Sequence, residues 1–120
     1  MEALLVFIGG GIGSLSRYGI SKLVTSRFEN INPEATFLSN FISVIVFALV
    51  LISFSKTAIA DSKMRALIII GFCGGFSTFS TFSYEIFYLI KSQNIGAALL
   101  NIGLSIIMCV IVFFLIAKNS

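Results

Sequence analysis

The sequence predicts an all-α integral membrane protein, a single domain of four transmembrane helices of which the third is broken. Three observations lead there. The 120 residues are 58% hydrophobic and 11% charged, with a mean hydropathy of +1.06, whereas soluble domains carry roughly 25% charged residues. Apolar runs cover roughly Ala3–Val24, Ala35–Phe54, Ala66–Ile90 and Ile95–Ala117, and about 20 apolar residues span the hydrocarbon core of a bilayer. Within the third run, Gly74 and Gly75 precede five hydroxyl residues in the seven positions Ser77–Ser83, a pattern foreign to a lipid-facing helix.

The first run lacks the positive n-region and small-residue cleavage site of a secretory signal and contains Arg17, so it is expected to be a retained helix. Gly9, Gly13 and Arg17 recur at spacings of four and share a face. Small residues at that period let helix backbones approach closely, which makes packing the expected purpose of the glycines. Two fates are open for the guanidinium of Arg17: snorkelling to the interface, or facing an aqueous vestibule where it attracts anions.

In the second run the polar residues Thr36, Ser39, Asn40 and Ser43 fall at i, i+3, i+4 and i+7, one helical face. In the fourth, Asn101, Ser105 and Cys109 recur at i, i+4 and i+8. A lone serine in such a helix is usually interhelical glue or bonds its own preceding turn. Two asparagine-bearing stripes, offering N–H and O–H donors without a fixed negative charge, point instead to a hydrated or ion-lined path that suits an anion better than a cation.

The third run carries the most chemistry. An interruption at Gly74–Gly75 frees carbonyl oxygens at mid-membrane depth, where a desolvated hard cation such as sodium could take them as ligands. A kink healed by serine hydroxyls is the plainer alternative. Phe79 and Phe82 lie three apart beside hydroxyl neighbours. The edge of an aromatic ring carries the positive part of its quadrupole, so a phenylalanine presented edge-on can face an anion.

Four spans put both termini on one side with the Lys56–Arg65 loop. That side holds Lys56, Lys63, Arg65 and Lys118; the other holds Lys22, Arg27 and Lys91. Orientation normally follows an excess of Lys and Arg in cytoplasmic loops, and here four against three is almost no excess. The chain could hold one fixed orientation, or insert both ways and pair with an opposite copy about an axis in the membrane plane.

Other classes are excluded by what is missing. The chain has no histidine, and Cys73 and Cys109 lie apart in apolar runs without metal-ligand spacing, which argues against zinc, haem and histidine acid–base chemistry. The eight basic residues are scattered singly, so the net charge of +3 does not make a nucleic-acid surface. A small dual-topology, proton-coupled multidrug transporter is the main rival, but such exchangers use a carboxylate in the middle of the first span, and here that span has only Glu2 at its very end. A non-conducting packing subunit leaves the Ser77–Ser83 hydroxyl run unexplained.

The stretches GGGIGSLSRY at 9–18, TFLSN at 36–40 and GFCGGFSTFSTFSYE at 71–85, with Asn101 and Ser105, resemble the CrcB, or Fluc, family of fluoride channels over essentially the whole chain. The resemblance implies a passive channel rather than an enzyme, in the cell inner membrane, lowering fluoride toxicity by letting the ion leave the cytoplasm. It also implies an antiparallel dual-topology homodimer with two pores, or a pair with a second homologue, and a structural sodium ion on the two-fold axis. By position, Phe79 and Phe82 look like the family's phenylalanine box, Asn40 like its pore amide, and Asn101, Ser105 and Cys109 like its polar track, with Thr36 assigned to the same pathway. The backbone carbonyls of Gly74 and Ser77 look like the sodium ligands. Arg17 matches the family's arginine, in a vestibule or packing role, and Glu85 is either a vestibule carboxylate or a polar packing contact. The chain departs from the family's pattern at Ser77 for a commoner threonine, at Ser39 and Ser43 for valine and glycine, and at Cys109 for a hydroxyl.

Overall fold

A computed structural model describes residues 1–26, 28, 30–56 and 62–117. Among these the secondary structure is entirely helical. Four stretches are long and apolar enough to cross a membrane, Glu2–Leu23, Pro33–Ser53, Arg65–Lys91 and Ile95–Ile116, each boundary lying no more than two residues from the predicted one. Arg27, residues 57–61 of the predicted loop and Lys118 lie outside the described residues.

Helix α1 runs over Glu2–Leu23 and α2 over Pro33–Lys56. The joint between them depends on Asn32. Its Oδ1 accepts the Ala35 N–H at 3.2 Å, capping the start of α2 just ahead of Pro33, whose missing N–H costs nothing in a first turn. Its Nδ2 donates to the carbonyls of Ser21 at 3.2 Å and Val24 at 2.9 Å, which close α1. One side chain thus satisfies orphan groups at two helix ends.

The third span is composite. A turn of helix α3, Ser62–Met64, leads into a π-helical stretch, Arg65–Cys73, then α4, Gly74–Phe76. The chain breaks after Phe76 and resumes as α5, Ser80–Lys91. The break therefore exists, but not at the glycines: Gly74 keeps helical angles of φ −65° and ψ −36°, and the backbone turns extended at Ser77, with φ −87° and ψ 157°. A turn around Gln93, in the left-handed region at φ 65°, sends the chain back along α6, Ile95–Ala117. There Asn94 N–H reaches the Leu89 carbonyl at 2.8 Å and Gln93 N–H the Ile90 carbonyl at 3.0 Å, satisfying the end of α5.

The glycines serve a close approach between α1 and the third span. A Cβ on Gly9 would overlap the Leu67 carbonyl, one on Gly13 the Phe72 carbonyl, and one on Gly75 the Gly10 carbonyl, while one on Gly71 would come within 3.0 Å of the Gly9 Cα. Two small-residue faces, 9/13 and 71/75, thus meet backbone to backbone, as expected for the first of them. No such constraint holds at Gly11, where an added Cβ meets nothing within 4 Å.

Side chains on the outer faces are apolar and exposed, among them Phe7, Leu15, Leu99, Phe114 and Leu115. That is ordinary in lipid, where apolar exposure carries no penalty.

Candidate functional site

The site is organised by the loss of helical hydrogen bonds at the break. In an unbroken helix the Thr78 N–H would serve the Gly74 carbonyl; here it donates to Asn40 Oδ1 at 2.9 Å, and Asn40 Nδ2 approaches the Thr78 carbonyl at 3.5 Å. The Thr81 N–H would likewise serve the Ser77 carbonyl, but donates to the Thr78 hydroxyl at 3.3 Å. The Gly75 carbonyl takes the Nε of Arg17 at 3.3 Å. The Cys73 carbonyl is heavily used, accepting the Ser77 N–H at 3.0 Å, the Ser77 hydroxyl at 2.7 Å and the Ser43 hydroxyl at 3.1 Å.

Two carbonyls, those of Gly74 and Ser77, thereby have their helical donors diverted to side chains. These are the two oxygens that the sequence resemblance singles out for a cation. Neutral carbonyl oxygens suit a hard, weakly held ion, and Gly74 is exposed on the protein's surface. Among the described residues no cluster of His, Cys, Asp or Glu offers a competing metal site.

Beside the break opens a cavity of about 510 Å³ lined by Asn40, Ser43, Phe47, Cys73, Gly74, Ser77, Thr78, Phe79, Phe82, Ser105, Cys109 and further apolar residues. Its lining carries no charged side chain. Phe79 and Phe82 lie with ring centroids 6.1 Å apart and planes tilted by 42°. Phe79 is 79% exposed. Of the residues expected on one pathway, the structure therefore brings together Asn40, Phe79, Phe82, Ser105 and Cys109.

Asn101 and Thr36 stand apart from that group. Asn101 lines a second cavity of about 340 Å³ with Glu34, Phe37, Leu89 and Leu100. It stays linked to the first through Ser105, whose hydroxyl donates to Asn101 Oδ1 at 3.1 Å, while its Nδ2 has no hydrogen-bond partner. Thr36 lines neither cavity. Its hydroxyl donates to Glu85 Oε2 at 2.7 Å, with both residues buried. Glu85 is thus buried against Thr36 within this chain, with Oε1 left without a hydrogen-bond partner.

The second-span stripe faces the third span as its period implies. Two of its hydroxyls are used there, Ser43 on the Cys73 carbonyl and Thr36 on Glu85, while Ser39 is completely buried with its hydroxyl oxygen lacking a hydrogen-bond partner. Sequence reasoning missed three features. Asn32 was signalled by an Asn-Pro-Glu run at 32–34, a helix-start pattern. The Thr78 side chain is an internal cap for α5. Gly71 and Gly75, spaced by four like Gly9 and Gly13, are the other half of a packing pair.

Residues 4–117 match the model of the family described as CrcB-like protein, Camphor Resistance (CrcB). The chain is 38% identical over 117 residues to the "Fluoride-specific ion channel FluC 1" of Yersinia pseudotuberculosis, covering 94% of this chain and 91% of that one. It is 40% identical over 114 residues to the "Fluoride-specific ion channel FluC" of Methanococcus aeolicus, covering 94% and 89%. With a protein of the same name from Escherichia coli it shares 35% identity over 124 residues, covering 98% and 94%.

Proposed function

Since the chain belongs to the CrcB family, and its relatives are named fluoride-specific ion channels, we propose that it is a passive fluoride-selective channel of the cell inner membrane. The observation that carries this reading is the uncharged cavity in which the Asn40 amide, the Ser105 hydroxyl and the rings of Phe79 and Phe82 meet beside the third-span break. An anion that leaves water needs its hydration replaced. Amide and hydroxyl donors with aromatic edges do this without a fixed cation to trap the ion, and a narrow passage excludes larger halides.

Export follows from weak-acid chemistry. Hydrogen fluoride crosses lipid uncharged and dissociates in a more neutral cytoplasm. The inside-negative potential, worth about 2.3 kcal/mol per charge per 100 mV, then drives the anion out through a passive path. The cell is relieved of fluoride without a pump.

The pore requires a second copy. Broken backbone at membrane depth is tolerated only where protein or water covers it, yet Gly74 and Phe79 stand exposed at the break. A second identical chain, or a close homologue, covers that face. The antiparallel arrangement is supported by the tyrosines. Tyr18 and Tyr88 lie toward the ends of α1 and α5 on one side, and Tyr84 lies one turn nearer the break in the same half of the third span, with Lys22 over the Tyr18 ring at 5.4 Å. Aromatic belts mark both membrane surfaces, and only an inverted pair places tyrosine at each. A structural sodium ion, held by the Gly74 and Ser77 carbonyls of the two copies, would neutralise the oxygens freed by the break and bind the copies together.

The test is efflux from liposomes. Purified protein should release fluoride and retain chloride, and Phe82→Ile or Asn40→Asp should each reduce fluoride release by at least about 100-fold, a transition-state cost near 3 kcal/mol. Equal release of chloride, or undiminished fluoride flux in both variants, would overturn the reading.

A further inference from the structure

Arg17 reaches across to the third span and donates from Nε to the Gly75 carbonyl, 58 residues away in sequence, a contact within the fold. The geometry explains why an arginine stands there. Gly9, Gly13 and Arg17 form one face of α1 at spacings of four. The first two glycines lie against continuous helical backbone, where a Cβ at Gly9 would strike the Leu67 carbonyl and one at Gly13 the Phe72 carbonyl. One turn further on, the opposing helix ends: Phe76 is its last helical residue and Ser77 is extended. The small residue gives way to a donor at the level where the opposing carbonyls lose theirs.

The loss is specific. The Gly75 carbonyl would take the N–H of Phe79 in a continuous helix, but Phe79 lies across the break at the start of α5. A carbonyl at the end of a helix also carries the negative pole of its dipole, which a cation relieves. Inside a membrane no water is at hand to take an unmet carbonyl. Three neighbouring groups are thus dealt with separately: the Gly75 carbonyl goes to Arg17, while Asn40 and the Thr78 hydroxyl take the amides that Gly74 and Ser77 would otherwise receive.

We propose that Arg17 is a positioning residue of the break: by holding the Gly75 carbonyl from α1, it fixes the end of α4 so that the adjacent Gly74 and Ser77 carbonyls are left to the sodium ion. The inference rests on the sodium reading given under Proposed function. It assigns the arginine a role in cation affinity rather than in attracting the anion.

Two measurements separate the possibilities, using the full chain reconstituted as its dimer. The first is thermal stability across a sodium titration at constant ionic strength, with an organic cation replacing sodium. Arg17→Met keeps much of the side chain's length and removes its donors; the sodium concentration for half-maximal stabilisation should rise by at least tenfold. Arg17→Lys, which can still donate to a carbonyl, should fall between that and the unaltered protein. The second is hydrogen exchange over residues 77–83, which should quicken in Arg17→Met and much less in Arg17→Lys. If both readouts are unchanged in Arg17→Met, Arg17 does not position the break. If exchange quickens but the unaltered protein shows no sodium dependence, the sodium reading falls while the positioning role stands. If Arg17→Met does not assemble, the comparison of Arg17→Lys with the unaltered protein decides the matter on the same two readouts.

Discussion

Asn40 shows how one side chain can serve both fold and passage. Its Oδ1 accepts the Thr78 N–H at 2.9 Å, the better of its two bonds across the break. Its Nδ2 makes only a long contact of 3.5 Å with the Thr78 carbonyl and so retains capacity as a donor toward the cavity. The two halves of the amide can be tested apart. Asn40→Asp keeps an acceptor for Thr78 while replacing the donor with an anion's repulsion; Asn40→Ala removes both. Asp should therefore melt close to the unaltered protein, whereas Ala should lose about 1–3 kcal/mol, the penalty of stranding a part-buried amide. Both should lose fluoride flux in the liposome assay. An Asp variant as unstable as the Ala variant would mean that the Thr78 contact is not what holds the break. At this scale the sequence is informative where polar chemistry is out of place in lipid: Asn40, Ser105 and Cys109 stand out in stripes, Phe79 and Phe82 stand out only by the hydroxyl run around them and by the family resemblance, and the five line one cavity. Thr36 shared the stripe of Asn40 but faces Glu85 instead. Period fixes the face of a helix and not the height at which a neighbour stands.

Among the elements, the contact between α1 and the third span sets the frame on which the break is displayed. Its close approach predicts a sharp contrast between neighbouring glycines. Alanine at Gly9, Gly13 or Gly75 must push backbone from backbone, because each added Cβ overlaps a carbonyl that has no side-chain freedom to move. Overpacking of this kind costs about 1–3 kcal/mol, sometimes more. Gly11→Ala points into open space and should be neutral. Thermal melts of the four variants in detergent check the ordering, and a Gly13→Ala variant as stable as Gly11→Ala would remove the close approach as the reason for the glycines. The four spans and the α1 glycine face were legible because apolar run length and a spacing of four are local signals. The position of the break was not. Two adjacent glycines look like a weak point, yet Gly74 and Gly75 stay helical, and the chain opens at Ser77 because Asn40, Arg17 and Thr78 supply bonds from outside the helix. The π-helical winding of Arg65–Cys73 carries no local mark in the sequence either, since nothing in RALIIIGFC departs from an ordinary apolar helix.

For the whole molecule, the balance of basic residues and the one-sided tyrosines bear on the same question, and they allow a prediction about insertion. Four Lys or Arg on the side of the termini oppose three on the other, so the chain carries little instruction to prefer either orientation. A cysteine placed at Ser92, in the exposed turn between α5 and α6, should then react with an impermeant maleimide from outside intact cells in roughly half of the molecules, and in nearly all once the membrane is opened. The native thiols contribute little background, since Cys73 is buried and Cys109 lies within a span. Orientation should also be steerable. Adding two lysines at the Ser92–Asn94 turn biases that side toward the cytoplasm, and adding two beside Lys63 biases the opposite way. Either biased chain expressed alone lacks an inverted partner and should fail to support fluoride efflux; the two expressed together should restore it. Recovery on co-expression is the decisive result, because a damaged fold in either variant would not be repaired by a second damaged fold. Full activity of each biased chain alone would instead require copies that assemble in parallel, and would remove the inverted pair as the means of covering the exposed break.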